Sequence, residues 1–122
     1  MPHQFTAFIG FYPTLDLPAT HHFYVNVLGL RLARDQGTCH IYEVTGGGYI
    51  GFCQRNEAEI SSNVVLTLVL DNVDGVYAAL QTAGVECEAA PKLNEQYGIY
   101  HFYARGPNGE RVEVQRFGEE NI

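Results

Sequence analysis

The chain has no tryptophan, only one methionine, and only seven lysines and arginines against fourteen acidic residues. The resulting net charge of −7 opposes nucleic acid or an anionic membrane surface as a partner. Long apolar runs are also missing, since Phe5–Leu17 is broken by Gly10, Pro13 and Asp16, and no stretch reads as a signal peptide or membrane span. Cysteine is scarce: Cys39, Cys53 and Cys87 are odd in number and none forms a C-x-x-C pair, so neither a disulfide framework nor a zinc site is signalled. Three free thiols in a reducing, cytoplasmic compartment are expected. What the chain does have is 122 residues that are 46% hydrophobic, with eight Tyr and seven Phe, enough for a substantial core.

The punctuation divides this material into a pattern that occurs twice. Phe5–Tyr12 reads as a buried strand ended by Pro13, and Asp16 ahead of Pro18 starts a helix that runs roughly to Leu28 before Gly29. Leu30–Asp35, Thr38–Val44 and Tyr49–Arg55 read as three strands, separated at Gln36-Gly37 and at Thr45 to Gly48. Residues 56–63 are polar and serve as a linker. Val64–Leu70 then reads as a strand, Asn72 caps a helix whose Val73, Val76, Tyr77 and Leu80 share one face, and Gly84 ends it. Val85–Ala90, Ile99–Ala104 and Glu110–Phe117 are again three strands. An internal repeat of about 55 residues follows, with modules at 5–55 and 64–117. One module has a sheet face still to cover, so the expected fold is α+β: paired βαβββ modules in one domain (1–122), forming a curled mixed sheet with a central cup and the helices outside.

Candidate chemistry concentrates near the C-terminus. Gly106-Pro107-Asn108-Gly109 is a turn between two strands, and in the second strand Glu113 and Gln115 share a face opposite Val112 and Val114. Glu113 is a carboxylate in the middle of a strand, placed on a wet face or in a cavity. His101 and Tyr103 share a face of the preceding strand. His21 and His22 are adjacent on the first helix and point about 100° apart, so they cannot clamp a metal together.

The opening from Phe8 to Asp16, the Phe23-Tyr24…Leu28-Gly29 segment, the second opening at Asp71-Asn72-Val73-Asp74 with Gly84-Val85, and the closing Gly-Pro-Asn-Gly-x-x-Val-Glu-Val resemble the vicinal oxygen chelate superfamily. That superfamily includes glyoxalase I, bleomycin- and fosfomycin-resistance proteins and extradiol dioxygenases. The resemblance covers residues 5–117 and implies paired βαβββ modules and commonly a homodimer. It also implies the positions at which metal-binding members carry their ligands: Ile9, Gly51, Val65 and Glu113 here. Only Glu113 is of a ligand type, so the family metal is not expected and no cofactor is assigned; His40 and His101 are the residues from which a relocated site could be built.

Two functions follow from the resemblance. The first is a metal-free protein of the bleomycin-resistance type that binds a small aromatic or cationic molecule, with Glu113, His101, Tyr103, Gln115 and Phe11 as the ligand-binding residues. The second is a glyoxalase-like lyase or isomerase with Glu113 as the catalytic base.

Overall fold

The computed structural model describes residues 3–57 and 63–118. The chain divides into two compact units, residues 1–60 and 61–122. The expected linker at 56–63 lies mostly outside the described residues.

The first unit contains β1 (Phe8–Thr14), α1 (Leu17–His21) with a π-helical continuation (His22–Val27), β2 (Arg31–Asp35), β3 (Cys39–Thr45) and β4 (Gly48–Gln54). Its sheet has the order β1-β4-β3-β2, with β1 parallel to β4 and the remaining pairs antiparallel. The helix starts where the sequence predicts, because the Asp16 carboxylate accepts the Ala19 N–H at 3.0 Å. A non-local pair reinforces that start: the Gln54 side chain accepts the Leu17 N–H at 2.9 Å and donates to the Leu15 carbonyl at 2.7 Å. The strand differs from expectation, since β1 runs on through Pro13 to Thr14. As an edge strand it tolerates a residue without an N–H.

One face of this sheet carries the core. Tyr24, Tyr42 and Phe52 are fully buried, with the Tyr24 ring 4.9 Å from Phe52 and 5.9 Å from Tyr42. Burying each such ring contributes on the order of 1.5–3 kcal/mol.

The expectation of three free thiols is corrected. Cys39 and Cys53 stand directly opposite each other on β3 and β4 and are joined by a disulfide, leaving only Cys87 free. Cross-strand register brought them together, and sequence spacing carried no trace of it. The thiol argument for a reducing compartment does not apply to this pair.

The second unit contains β5 (Val65–Val69), α2 (Val73–Thr82), β6 (Lys92–Asn94), β7 (Ile99–Arg105) and β8 (Arg111–Phe117), in sheet order β5-β8-β7-β6. The Asn72 side chain caps α2 by accepting the Gly75 N–H at 2.9 Å. Val73, Leu80, Val112 and Val114 are buried between helix and sheet, and Tyr77 meets Phe102 edge-on at 5.2 Å. The expected strand at Val85–Ala90 does not form. That segment makes a single bridge, Cys87 to Ala104, and Pro91 cannot donate to a ladder, so pairing resumes only at β6. The architecture is thus α+β, with two mixed four-stranded sheets that are not closed and one helical segment per unit. Among the described residues no helix is long and apolar enough to cross a membrane.

Candidate functional site

The turn at residues 106–109 sets the start of β8 and hence the position of Glu113. Gly109 takes φ +86°, the left-handed region for which glycine is suited, and its N–H donates to the Gly106 carbonyl at 3.1 Å. Glu110, read from sequence as the first strand residue, is instead fully buried under the turn and accepts the Asn108 N–H at 2.8 Å. A side chain at Gly106 would collide with it, which accounts for the glycine.

Strand alternation then places Arg111, Glu113 and Gln115 on one face of β8, away from the buried Val112 and Val114. The register aligns them in cross-strand rows. Thr67, Glu113 and Tyr103 form one row, and Val69, Gln115, His101 and Lys92 form the next. Four of the five residues named from sequence, Glu113, His101, Tyr103 and Gln115, therefore share one sheet face. Phe11 belongs to the first unit, where it stands opposite Gly51 on β1 and β4.

The bonding on this face is specific. Glu113 is 8% exposed and His101 6%, and Nδ1 of the histidine lies 2.6 Å from Oε2 of the carboxylate. The other oxygen of Glu113 accepts the Thr67 hydroxyl at 2.8 Å. An ionised carboxylate can only accept, so the shared proton belongs on Nδ1, and in the neutral ring Nε2 keeps its lone pair. The Tyr103 ring meets His101 edge-on at 5.3 Å, and the Arg111 guanidinium lies 3.7 Å over it. Burial, and next the Glu113 charge, raise the Tyr103 phenol above its ordinary value, so it remains a donor. Arg111 is itself gripped by Glu88 through two bonds of 2.8 and 2.9 Å, and that bond holds the Glu88 carboxyl below its ordinary value. Gln115 is 7% exposed and stands directly opposite His101 on β7.

The residues do not fit the family's metal. In the second unit the residue opposite Glu113 is Thr67, five before the Asn72 cap, and not Val65. The first-unit residue at that offset from Asp16 is Phe11, opposite Gly51. A Cβ on Gly51 would come within 2.5 Å of the Phe11 ring, so the aromatic fills the space a ligand side chain would need. Glu113 has both oxygens engaged. His40 belongs to the first unit, its Nδ1 3.1 Å from the Tyr42 hydroxyl and its Nε2 3.4 Å from Asp35. No group of three His, Cys, Asp or Glu among the described residues could hold a metal ion.

Two features escaped the sequence. Thr67 carries no motif, and only the register shows that it supports Glu113. The Tyr42 hydroxyl, fully buried, also bonds Nδ1 of His21 at 3.1 Å, so both histidines that looked solvated or available are structural partners of one phenol.

Comparison with known proteins agrees with this geometry. The family model for the Glyoxalase/Bleomycin resistance protein/Dioxygenase superfamily matches residues 6–114. A glyoxalase/bleomycin resistance protein/dioxygenase from Nocardioides has a similar structure, with a TM-score of 0.77 at 20% identity over 99% of this chain and 88% of the other. A glyoxalase/dioxygenase from Nostoc punctiforme gives 0.78 at 15% identity over 91% and 90%. A virulence protein from Salmonella typhimurium gives 0.73 at 19% identity over 96% and 99%. No curated protein matches. At these identities the solved structures establish the fold alone, and the family match carries the assignment. The chain therefore belongs to the glyoxalase/bleomycin resistance protein/dioxygenase superfamily.

Proposed function

We propose that this protein binds a small, flat, neutral molecule on the sheet face of the second unit that carries Glu113 and His101, without the family metal. The observation that carries this reading is Gln115, 7% exposed and directly opposite His101, whose ring is bonded to Glu113 at 2.6 Å. His101 Nε2 adds an acceptor beside it, and Glu113 acts as the positioning carboxylate that fixes the ring. A cationic ligand is disfavoured, because both Glu113 oxygens are engaged and Lys92 stands in the same row. A primary aromatic amide offers the complementary donor and acceptor, so benzamide is a suitable probe. Titrated into labelled protein, it is expected to shift the backbone signals of His101 and Gln115 saturably, and Gln115→Leu is expected to abolish the response. Shifts absent, or unchanged in the variant, would refute the reading.

The same pair supports a second reading, proton transfer next to a carbonyl. His101 would be the base, oriented by Glu113 at 2.6 Å, because Glu113 itself has no free oxygen. Hydroxyacetone incubated with the protein in deuterated water should then exchange its α-protons, and the exchange should vanish in His101→Gln. No exchange above the buffer rate removes this reading and leaves the binding one standing.

Assembly as a homodimer is part of the proposal. β1 is an edge strand whose Phe8 is 75% and Phe11 52% exposed, and the preceding Phe5 is 88% exposed. An unpaired apolar edge calls for a partner strand, and a second copy of this chain supplies one. Light scattering should give twice the 13.6 kDa chain mass, and Phe8→Glu should halve it. A monomeric wild type would contradict the assignment.

A further inference from the structure

We infer that the first unit carries a binding site for a small organic monocarboxylate, built around Arg34. The β2–β3 ladder contains a register fault. Arg31 pairs with Glu43, and a regular antiparallel ladder would set Ala33 opposite Ile41. A bulge between Leu32 and Arg34 instead sets Arg34 opposite Ile41. One extra residue thus brings a guanidinium into the row of Ile41, beside the Ala33 methyl, the re-aiming that bulges are known to accomplish. The rows across the sheet then read Ile9, Tyr49, Glu43, Arg31 and Phe11, Gly51, Ile41, Arg34.

These rows contribute to a cavity of about 460 Å³ lined by Ala7, Ile9, Ala33, Ile41 and Tyr49 together with Arg31 and Arg34. That volume lies within the range of small-molecule sites. The two cations differ. Arg31 is neutralised by Glu43, with Nε 3.1 Å from the carboxylate. The Arg34 side chain has no hydrogen bond or ion pair among the described residues. One uncompensated guanidinium beside apolar walls matches a ligand with one negative charge and an apolar body. A planar carboxylate takes both prongs of the guanidinium fork. A dianionic phosphate would meet the Glu43 charge with only one free cation. The net charge of −7 repels anions from the molecule as a whole, so an anion site here has to be made locally.

The test is titration of the labelled full chain with benzoate, with benzamide and phenyl phosphate as comparison probes. Benzoate is expected to shift Ala33, Arg34, Ile41 and Tyr49 saturably. Arg34→Gln should weaken it about tenfold or more, the loss expected for a charge-assisted bidentate contact, with the melting temperature unchanged because the side chain is exposed. Arg34→Lys should recover only part of the affinity. Benzoate shifts that are absent, that fall on His101 and Gln115, or that persist unchanged in Arg34→Gln would overturn the inference. Tighter binding of phenyl phosphate than of benzoate would overturn the monocarboxylate assignment. The two sites use different residues and different probes, so failure here leaves the second-unit site untouched, and the converse holds.

Discussion

Separating Glu113 from His101 should cost more than removing two independent polar side chains. Both side chains are nearly dry, 10% and 7% exposed, and their bond is 2.6 Å. Glu113→Ala leaves the His101 Nδ1–H and the Thr67 hydroxyl without acceptors and opens a small void, for an expected loss of about 3–4 kcal/mol. Glu113→Gln keeps the volume and one acceptor, so about 1–2 kcal/mol is expected. His101→Ala leaves a buried carboxylate with Thr67 and Tyr103 as its neighbours, again costing about 3 kcal/mol. The double alanine variant removes both orphans at once, and the coupling energy should be about 1.5–3 kcal/mol. Urea unfolding of the four proteins at pH 7 measures it directly. A coupling below about 0.5 kcal/mol would mean that the two groups act independently, and the positioning role assigned to Glu113 would fall.

Other consequences are accessible to simple experiments. Burial, and next the Asp35 charge, push the Tyr42 phenol up to about 12. The folded state therefore holds this proton more tightly than the unfolded chain, so its contribution is complete below about pH 10 and is lost as pH rises towards 12, about 2–3 kcal/mol in all. Comparing urea unfolding at pH 9 and 11.5 in wild type and Tyr42→Phe should show a smaller alkaline loss in the variant; equal losses would refute this. Gly51→Ala should cost about 1–3 kcal/mol because its Cβ would meet the Phe11 ring, and Phe11→Ala in the same chain should recover most of that loss in thermal melts. Reduction of the Cys39–Cys53 disulfide, which spans a sequence separation of 14, should lower stability by about 3 kcal/mol, and Cys39→Ser with Cys53→Ser should be insensitive to reductant.

The features legible in the sequence are those fixed by neighbours along the chain. Asp16 and Asn72 cap their helices as read, and Gly29 and Gly84 end them at φ +82° and +77°, because capping needs only the next few residues. The shared face of Glu113 and Gln115 follows from strand alternation alone. What could not be read is what register decides between distant strands. Cys39 meets Cys53, Thr67 meets Glu113, and the bulge at Ala33 sets Arg34 opposite Ile41. The segment Val85–Ala90 has a strand composition, but forms only the bridge at Cys87 because β7 finds its longer pairing with β8 and with the short β6. The family offset pointed to Val65, whereas pairing selects Thr67, a shift of two residues that keeps the face and changes the chemistry.

The central claim is that Glu113 fixes His101 with its proton on Nδ1, leaving Nε2 to meet a ligand beside Gln115. Long-range nitrogen–proton correlation of the His101 ring tests it most directly. The expected result is a proton on Nδ1, an Nε2 signal that moves on addition of benzamide, and loss of that single arrangement in Glu113→Gln. A ring protonated at Nε2, or a tautomer that Glu113→Gln leaves unchanged, would contradict it.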